Sequence, residues 1–469
     1  MLKVIINKEI RDLLGSTKFA IIFGVCALLI IATFYVAGTR YKINQSYHEA
    51  SVTENLRRYE GVTDWFDVQD SRVILPPSPL ACLVTGVSND IGRSILVSGI
   101  GELTAEGSRY NEDPLFAIFR FLDLEYVFGV ILSLLAILLC YNSISGEKEQ
   151  GTLRLTFAQP ISRSTYILGK ILGSFIALSA SILVAIAVGC LVFIIMGIPM
   201  TDDQWLRLIL IIIVGLLYFG AFMSLSVFLS ALTSRSANSL LLLLVVWICA
   251  VLIVPRVSVL AAGRTVEVPS VDAIANEKAT FRAQTRQEFI DAMTHFNPDK
   301  YEESADKALM TFMDSLQKER ENRVSEFAGR LNENRRNRQQ VQHRLALALA
   351  RISPTASMSL SMSQLAGTDV DMSRDFMEQA LTYQKKFASF CEAKTGVVAS
   401  GFRVIRQVEG EELPEEKPLD VSEIPVFEHH EMATAAVVDA AIPDIGLLVI
   451  YNLLFFVGAF VAFLKYDLR

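Results

Sequence analysis

Charged residues with a distinctive spacing lie in the stretch SGEKEQGTLR, residues 145–154. Glu147 and Glu149 flank Lys148, and Gly151 follows them. Carboxylates near the start of a short helix are stabilised by its dipole, and glycine lets the chain turn sharply. The pattern favours binding of a partner surface over covalent catalysis, because no nucleophile, base and orienting residue recur together. The plainer alternative is a charged loop.

Apolar residues continue the same stretch at Leu153, Leu155 and Phe157. Side chains of this kind act as anchors when they enter a groove of a partner. We expect Glu147 and Glu149 to point toward that partner as well. Replacing both by lysine should then weaken binding of the partner and leave the fold intact.

The elements that position this stretch are long apolar segments on either side of it. The chain is 52% hydrophobic and 20% charged, with a net charge of −7, which is typical of a membrane protein with large wet segments. Six charge-free runs are each long enough to cross a bilayer as a helix. We therefore predict an all-α polytopic membrane protein. The predicted transmembrane helices cover residues 19–39, 124–145, 167–197, 206–232, 236–256 and 443–465.

Lysine and arginine in the short flanks predict the orientation. They cluster before the first span, between spans two and three, between spans four and five, and after span six. Both termini and residues 146–166 are therefore expected in the cytoplasm. Residues 1–18 are predicted to form an amphipathic helix at the membrane surface. Residues 40–123 and 257–442 are then extracytoplasmic.

The two outer segments differ in pattern. The first carries short β-branched runs after a proline-rich entry, so we predict a mixed α/β extracytoplasmic domain. The second predicts a long helical hairpin between about residues 271 and 344, interrupted at Asn297-Pro298. Residues 345–367 are apolar but hold Arg351 and Pro354 near the middle, which disfavours a seventh span. We expect an interfacial helix on the outer leaflet there.

Cysteine and histidine add two hypotheses. Cys82 and Cys391 lie in different outer segments, where they are either a disulfide or two buried thiols. His429 and His430 are adjacent, but no third ligand is spaced to complete a metal site, so none is predicted.

No phosphate-binding loop of the form G-x-x-x-x-G-K-[ST] occurs in the sequence, and Gly169-Lys170 is the nearest fragment. The central thirds of the predicted spans hold no ionisable residue that could relay protons or sodium. The energy source is therefore expected on another chain, which reaches this one through its cytoplasmic loop.

Residues 143–173, SISGEKEQGTLRLTFAQPISRSTYILGKILG, resemble the signature after the second span of type-2 ATP-binding-cassette (ABC-2 type) exporter permeases. PPSPL at 76–80 and ISPTASMSLSMSQLAGT at 352–368 resemble a subgroup with large extracytoplasmic loops. The resemblance implies a coupling helix that docks on a separate ATPase. The implied coupling residues are Glu147, Glu149, Gly151, Thr152, Leu153, Arg154, Pro160, Arg163 and Lys170.

The same resemblance implies a permease subunit that is not itself an enzyme and holds no cofactor. Its expected partners are two ABC ATPase subunits that bind ATP and Mg, a second permease that is either another copy or a sister chain, and membrane lipids. An extracytoplasmic protein is a further option, and no nucleic acid is expected. The expected location is the inner (cytoplasmic) membrane of a prokaryote.

Two functions stay open at this point. An exporter would move a substrate outward through a cavity between two permeases. A mechanotransmitting subunit would instead use the strokes of the ATPase to act on an extracytoplasmic partner, with closed spans and a rigid helical stalk.

Overall fold

The computed structural model describes residues 1–68, 70–86, 94–98, 104–106, 123–295, 305–395, 420 and 423–465. Within these residues, six helices are long and apolar enough to cross a membrane, which confirms the predicted number and order of spans. The candidate spans are Thr17–Arg57, Leu124–Glu149, Arg163–Ile195, Asp202–Leu232, Ser236–Thr265 and Thr434–Leu464.

We number the helices and strands in chain order. The first helices are α1 Leu2–Leu14, α2 Thr17–Arg57, α3 Pro79–Leu83, and α4, which joins Leu124–Tyr126, a π-helical segment Val127–Leu132 and Ser133–Cys140. Next come α5 Ser145–Glu149, α6 Thr152–Phe157, α7 Arg163–Ile195, α8 Asp202–Leu232, and α9 Ser236–Trp247, which a second π-helical segment, Ile248–Ile253, follows. The last helices are α10 Val254–Thr265, α11 Val271–Thr294, α12 Ala305–Ala350, α13 Pro354–Ala366, α14 Val370–Thr395 and α15 Thr434–Leu464. The strands are β1 Asp70–Ile74, β2 Ser94–Ser98 and β3 Thr104–Glu106.

Three candidate spans begin at a hydroxyl residue that accepts a hydrogen bond from a backbone N–H of the first turn. Ser16 caps α2 and Ser162 caps α7 in this way. Thr201 caps α8 in a capping box, in which the Gln204 side-chain oxygen also accepts a hydrogen bond from the Thr201 backbone N–H. Such caps satisfy donors that have no partner inside the helix, so they fix where each span starts.

Helix α2 continues well past its predicted membrane segment, because it is 41 residues long. Near its far end the Asn55 side chain donates to Arg72 O at 3.1 Å and accepts from Arg72 N at 3.2 Å. This pair joins α2 to strand β1. We call this end of the bundle the sheet end, and the end that carries residues 145–163 the loop end.

A three-stranded antiparallel sheet in the order β1-β2-β3 lies at the sheet end. Val73 pairs with Ile95 across β1 and β2, and both side chains are buried. Helix α14 covers the sheet with Phe376 and Phe387, which belong to the same apolar cluster. The strands of this sheet come from the first long segment, and the helix that covers them comes from the second.

Residues 254–352 form a second compact unit of three helices, α10, α11 and α12. Helix α12 is 46 residues long and packs against both α10 and α11. Phe281 and Phe327 stack with ring centroids 4.0 Å apart, and Arg323 pairs with Glu288 at 2.9 Å. The predicted long hairpin is present, while its expected interruption at residues 297–298 lies outside the described residues.

Helix α13 departs from its prediction. Its 13 residues are too few to cross a bilayer, so the expectation of no seventh span holds for this helix. However, Met358, Met362 and Leu365 are at most 1% exposed, and the helix packs between α8 and α15. A helix on the membrane surface would leave one side to lipid, so the interfacial interpretation is wrong. The many Ser and Ala residues of α13 allow close approach to its neighbours.

Candidate functional site

The stretch 145–154 folds as the two short helices α5 and α6, separated by Gly151. Gly151 has a φ angle of +70°, in the left-handed region that residues with a side chain rarely adopt. Thr152 follows directly, and its hydroxyl donates to Glu147 O at 3.4 Å. The predicted sharp turn is confirmed, and substitution of Gly151 would strain it.

A buried ion cluster joins three segments beneath this turn. Lys170 Nζ lies 2.8 Å from Glu9 Oε2 and 2.9 Å from Glu147 Oε1. The side chains of Lys170 and Glu9 are 9% exposed, and that of Glu147 is 15% exposed. Tyr166 donates to Glu147 Oε2 at 2.5 Å, and Ser174 donates to Glu9 Oε1 at 3.3 Å. These bonds satisfy both carboxylates, as burial of charge requires.

Two glycines let α1 approach α7 closely enough for this cluster to form. A Cβ atom at Gly169 would lie 2.6 Å from Ile5 Cγ2, and one at Gly173 would lie 2.8 Å from Glu9 Cβ. Glycines four residues apart lie on one side of a helix and permit such close packing. Helix α1 is thus held to α7 by both shape and charge.

The same loop is bonded to the ends of two further spans. Lys148 Nζ donates to Ala231 O at 2.5 Å and to Thr233 O at 3.0 Å, where α8 ends. Glu149 accepts from the backbone N–H of Ser236 at 3.1 Å and from its hydroxyl at 2.7 Å, where α9 begins. Charges of these signs are stabilised at those helix ends by the dipole.

Two more contacts complete the attachment. Arg163 Nη1 donates to Leu464 O at 2.6 Å, at the end of α15. Ser230 Oγ accepts from the backbone N–H groups of Ile144 and Ser145 at 3.0 and 2.9 Å. Together with Lys148, Glu149 and the ion cluster, these bonds connect residues 144–170 to α1, α8, α9 and α15.

Only one side of α6 faces outward. Leu155 is 73% exposed, and Arg154 and Pro160 are exposed beside it. Leu153 is 2% exposed, and the Phe157 ring lies 5.3 Å from that of Tyr166. Leu155 is therefore an exposed apolar residue on a short helix with a basic neighbour, a combination that suits a docking surface.

The structure corrects the predicted direction of several side chains. Glu147 points inward to Lys170, whereas Glu149 is exposed and accepts hydrogen bonds from Ser236 at the start of α9. Leu153 and Phe157 likewise pack inward. Glu147 turns inward because a buried charge needs a partner, which Lys170 supplies. Leu153 and Phe157 turn inward because burial of apolar side chains is favourable. The contact between Glu147 and Lys170 argues against the prediction that lysine at both glutamate positions leaves the fold intact, because it would place two cations together.

Sequence reasoning did not identify two members of the cluster, Glu9 and Tyr166. Glu9 was visible as an acidic residue among the lysines and arginine of α1, three residues after Ile6, on the side that meets α7. Tyr166 precedes Lys170 by one helical turn, so both lie on one side of α7. Pairing them required knowledge that α1 packs against α7.

The cysteines proposed for a disulfide are both thiols in the structure, in different apolar clusters. Cys82 Sγ accepts from Asn44 Nδ2 at 3.8 Å, and Cys391 Sγ donates to Val68 O at 3.6 Å. Burial raises the pKa of the Cys391 thiol. The alternative of two buried thiols describes the structure, and the disulfide does not.

Among the described residues, no group of three or more histidine, cysteine, aspartate or glutamate side chains is placed to hold a metal ion. His429 Nδ1 lies 3.2 Å from Gln379 Oε1, an amide contact that is typical of a structural histidine. Burial lowers the pKa of His429, against the raising effect of Asp375 and Glu431.

Comparison with known proteins adds one finding. The family model described as "ABC-2 family transporter protein" matches residues 3–468, almost the whole chain. No curated protein matches the chain.

Proposed function

Because the chain belongs to the ABC-2 family of transporter proteins, we propose that it is the permease of an exporter driven by a separate ATPase that docks on α6. Membership of the family makes the chain an integral membrane subunit of an ABC transporter, and it implies association with an ABC ATPase. The proposal adds the direction of transport and the docking surface.

The proposed orientation places the loop end in the cytoplasm and the sheet end outside. Lysine and arginine in the short flanks of the spans support this orientation. Under it, both termini are cytoplasmic, and the sheet with α14 is extracytoplasmic. The corresponding membrane is the inner membrane of a prokaryote.

One observation carries the docking proposal. The exposed side of α6 holds Leu155 and Arg154, while the loop around α6 is bonded to the ends of three spans and to α1. A partner that moves α6 must therefore move several helix ends at the same time. This is the property that a coupling helix needs, because ATP hydrolysis takes place on another chain.

A complete exporter would contain two ATPase subunits with ATP and Mg and a second permease. One chain presents one such docking segment among its described residues, so two permeases would present one to each ATPase. Whether the second permease is another copy or a sister chain does not change the role of α6.

The test is a single substitution on the exposed side of α6. Leu155→Asp should reduce copurification of the ATPase about 30-fold, the effect of losing a contact of about 2 kcal/mol at an interface centre. The thermal unfolding midpoint should not change, because the side chain is exposed. Val426→Asp is the matched control, since Val426 is 66% exposed at the sheet end. Unchanged copurification of the ATPase with Leu155→Asp would rule out docking at α6.

The second candidate function is mechanotransmission, and the 46-residue helix α12 paired with α11 favours it. A long helical hairpin can act on an extracytoplasmic protein without any passage through the membrane. Reconstitution in lipid vesicles separates the two functions. Export requires ATP-dependent movement of a lipid or peptide that copurifies, whereas transmission requires ATP-dependent changes in hydrogen exchange in residues 254–352 without such movement.

A further inference from the structure

Two candidate spans contain a π-helical segment, Val127–Leu132 in α4 and Ile248–Ile253 after α9. A π-helical segment inserts one extra residue into a helix and is often found at functional sites. Its cost is that some backbone carbonyl groups lose their usual partner. Whether these carbonyls find others decides whether the segment is stable.

The Gly129 carbonyl shows how the first segment is stabilised. In an α-helix it would accept the N–H of Ser133, but here that N–H bonds to Phe128 O and Val130 O. Two hydroxyl groups replace the backbone N–H of Ser133 as donors to Gly129 O. Ser133 Oγ donates at 2.6 Å, and the hydroxyl of Tyr218 on α8 donates at 2.9 Å. Tyr218 is fully buried, so its hydroxyl has little access to other partners.

These bonds extend to the second π-helical segment and to α13. Trp247 Nε1 donates to Ser133 Oγ at 2.9 Å, which links α9 to α4. The hydroxyl groups of Tyr218 and Thr355 lie 3.0 Å apart. Ser353, at the start of α13, donates to Ala250 O at 2.5 Å, inside the second π-helical segment. One chain of neutral hydrogen bonds therefore spans both segments and the buried helix.

The three bonded positions lie at similar depth. Tyr218 and Ala250 each lie about 14 residues from the loop end of their spans, which is about 21 Å at 1.5 Å per residue. Gly129 lies at the same depth, because its carbonyl accepts a hydrogen bond from Tyr218. In a hydrocarbon core of about 30 Å this places them in the half nearer the sheet end. Helix α13 fills the space there, because Met358 Cε would lie 3.2 Å from a Cβ at Gly129.

The first turn of α4 also holds α13. Glu125 accepts a hydrogen bond from Ser359, in the middle of α13. If residues 127–132 became α-helical, the turn that carries Glu125 would rotate by about 100° and shift by about 1.5 Å relative to the rest of α4. That movement would separate Glu125 from Ser359. Conversion of the π-helical segment and release of α13 are therefore linked by geometry.

We propose that Tyr218 is a positioning residue that keeps α4 in its π-helical form, and that conversion of this segment to α-helix releases α13 and opens the sheet end of the bundle during transport. The inference rests on the proposed export function for its place in the cycle. Apart from the contact between Glu125 and Ser359, the bonds that hold α13 in this arrangement are neutral and few, so a movement of the spans can break them and re-form them.

The test removes only the Tyr218 hydroxyl and reads the accessibility of α13. Met358→Cys, in a background in which the six native cysteines are replaced, is reacted with a membrane-impermeant maleimide added at the sheet end. Met358 is 1% exposed, so the parent protein should react slowly. Tyr218→Phe should raise the rate about tenfold without ATP, the scale of a shift in a minor population. Tyr35→Phe is the control, because Tyr35 lies in α2 and is 59% exposed.

A second readout uses the protein with its native cysteines. Hydrogen exchange of α13 amides should accelerate in Tyr218→Phe, while exchange in the core of α7 stays as in the parent protein. Equal acceleration in both helices would mean general loosening and would overturn the proposal. The proposal would also be overturned if Tyr218→Phe changed neither the rate of the maleimide reaction at Met358→Cys nor the hydrogen exchange of α13.

Addition of the ATPase and ATP separates this inference from the proposed function. In the parent protein, turnover should raise the maleimide rate toward that of Tyr218→Phe. If ATP leaves the maleimide rate of the parent protein unchanged while Tyr218→Phe raises it, Tyr218 has the positioning role but the opening is not driven by ATP. If ATP raises the maleimide rate of the parent protein but Tyr218→Phe does not raise it without ATP, the exporter function stands and the role of Tyr218 is overturned.

Discussion

Two clusters of buried polar side chains join the helices of this protein, one through charges and the other through neutral hydrogen bonds. At the loop end, Lys170, Glu9 and Glu147 form a cluster of formal charges. Deeper in the bundle, Tyr218 and Ser133 meet at Gly129 through neutral hydroxyl groups. Loss of one member of a charged cluster leaves a buried charge, whereas loss of a neutral bond costs far less. We infer that the charged cluster holds the helices of the loop end rigidly, and that the hydroxyl contacts near the sheet end break more easily.

The largest effect that this comparison predicts comes from Lys170→Met. It leaves Glu9 and Glu147 without their shared cation, so the free energy of unfolding should fall by about 3–5 kcal/mol. Thermal unfolding in detergent, followed by circular dichroism, measures the loss. Lys3→Met is the control, because Lys3 is exposed on α1. Adding Glu9→Gln and Glu147→Gln should restore most of the stability, and failure of that rescue would contradict the electrostatic explanation.

A smaller effect is expected from Gly169→Ala, which tests the close packing beneath the charged cluster. The new Cβ would overlap Ile5, so the contact between α1 and α7 should weaken by about 1–3 kcal/mol. Limited proteolysis within α1 reports the loosening. Ile5→Ala in the same chain should restore resistance to proteolysis. Gly446→Ala is the control, since nothing lies within 4 Å of its Cβ position; equal sensitivity in that variant would refute the packing explanation.

Trp247→Phe should have a smaller effect still, about 1 kcal/mol, because it removes one neutral hydrogen bond to Ser133 and keeps an aromatic ring. The measurement is the same thermal unfolding experiment. Trp205→Phe serves as the control for loss of an indole. If Trp247→Phe destabilised the protein as much as Lys170→Met, the contrast between a charged and a neutral joint would be wrong.

The smallest effect concerns pH and lies outside both clusters, at His429. Burial lowers the pKa of His429 below its ordinary value of 6.5, so the folded state binds fewer protons than the unfolded state. Stability of the sheet and α14 should therefore fall as pH drops below about 6.5. Hydrogen exchange of α14 amides at pH 7.5 and 5.5 measures this, after correction for intrinsic exchange rates. The pH effect should shrink in His429→Gln but not in His430→Gln, and an equal response of the two variants would exclude His429 as its source.

The sequence predicts the loop end better than the hydroxyl cluster. Long apolar runs fixed the six spans, and the motif around Glu147 and Lys170 located the loop, because hydrophobicity and charge are local properties of a sequence. The inward direction of Glu147 could not be predicted, since its partner Glu9 lies far away in the chain. The π-helical segments had no local signal, because Val127–Leu132 is an ordinary apolar run. Helix α13 was misplaced because a serine-rich helix can be polar on a surface or closely packed inside a bundle.

The unbroken length of α2 has a mechanical consequence. At 1.5 Å per residue its 41 residues extend about 60 Å, from the first turn beside α1 to the side chain of Asn55 at strand β1. A rod of that length acts as a lever, so a tilt of about 5° at its base displaces its tip by about 5 Å, the rise of roughly one helical turn. The Asn55 side chain makes two hydrogen bonds to the Arg72 backbone, so strand β1 would move with this end of α2. A small tilt of α2 in the membrane would therefore become a displacement as large as a side chain at the strand.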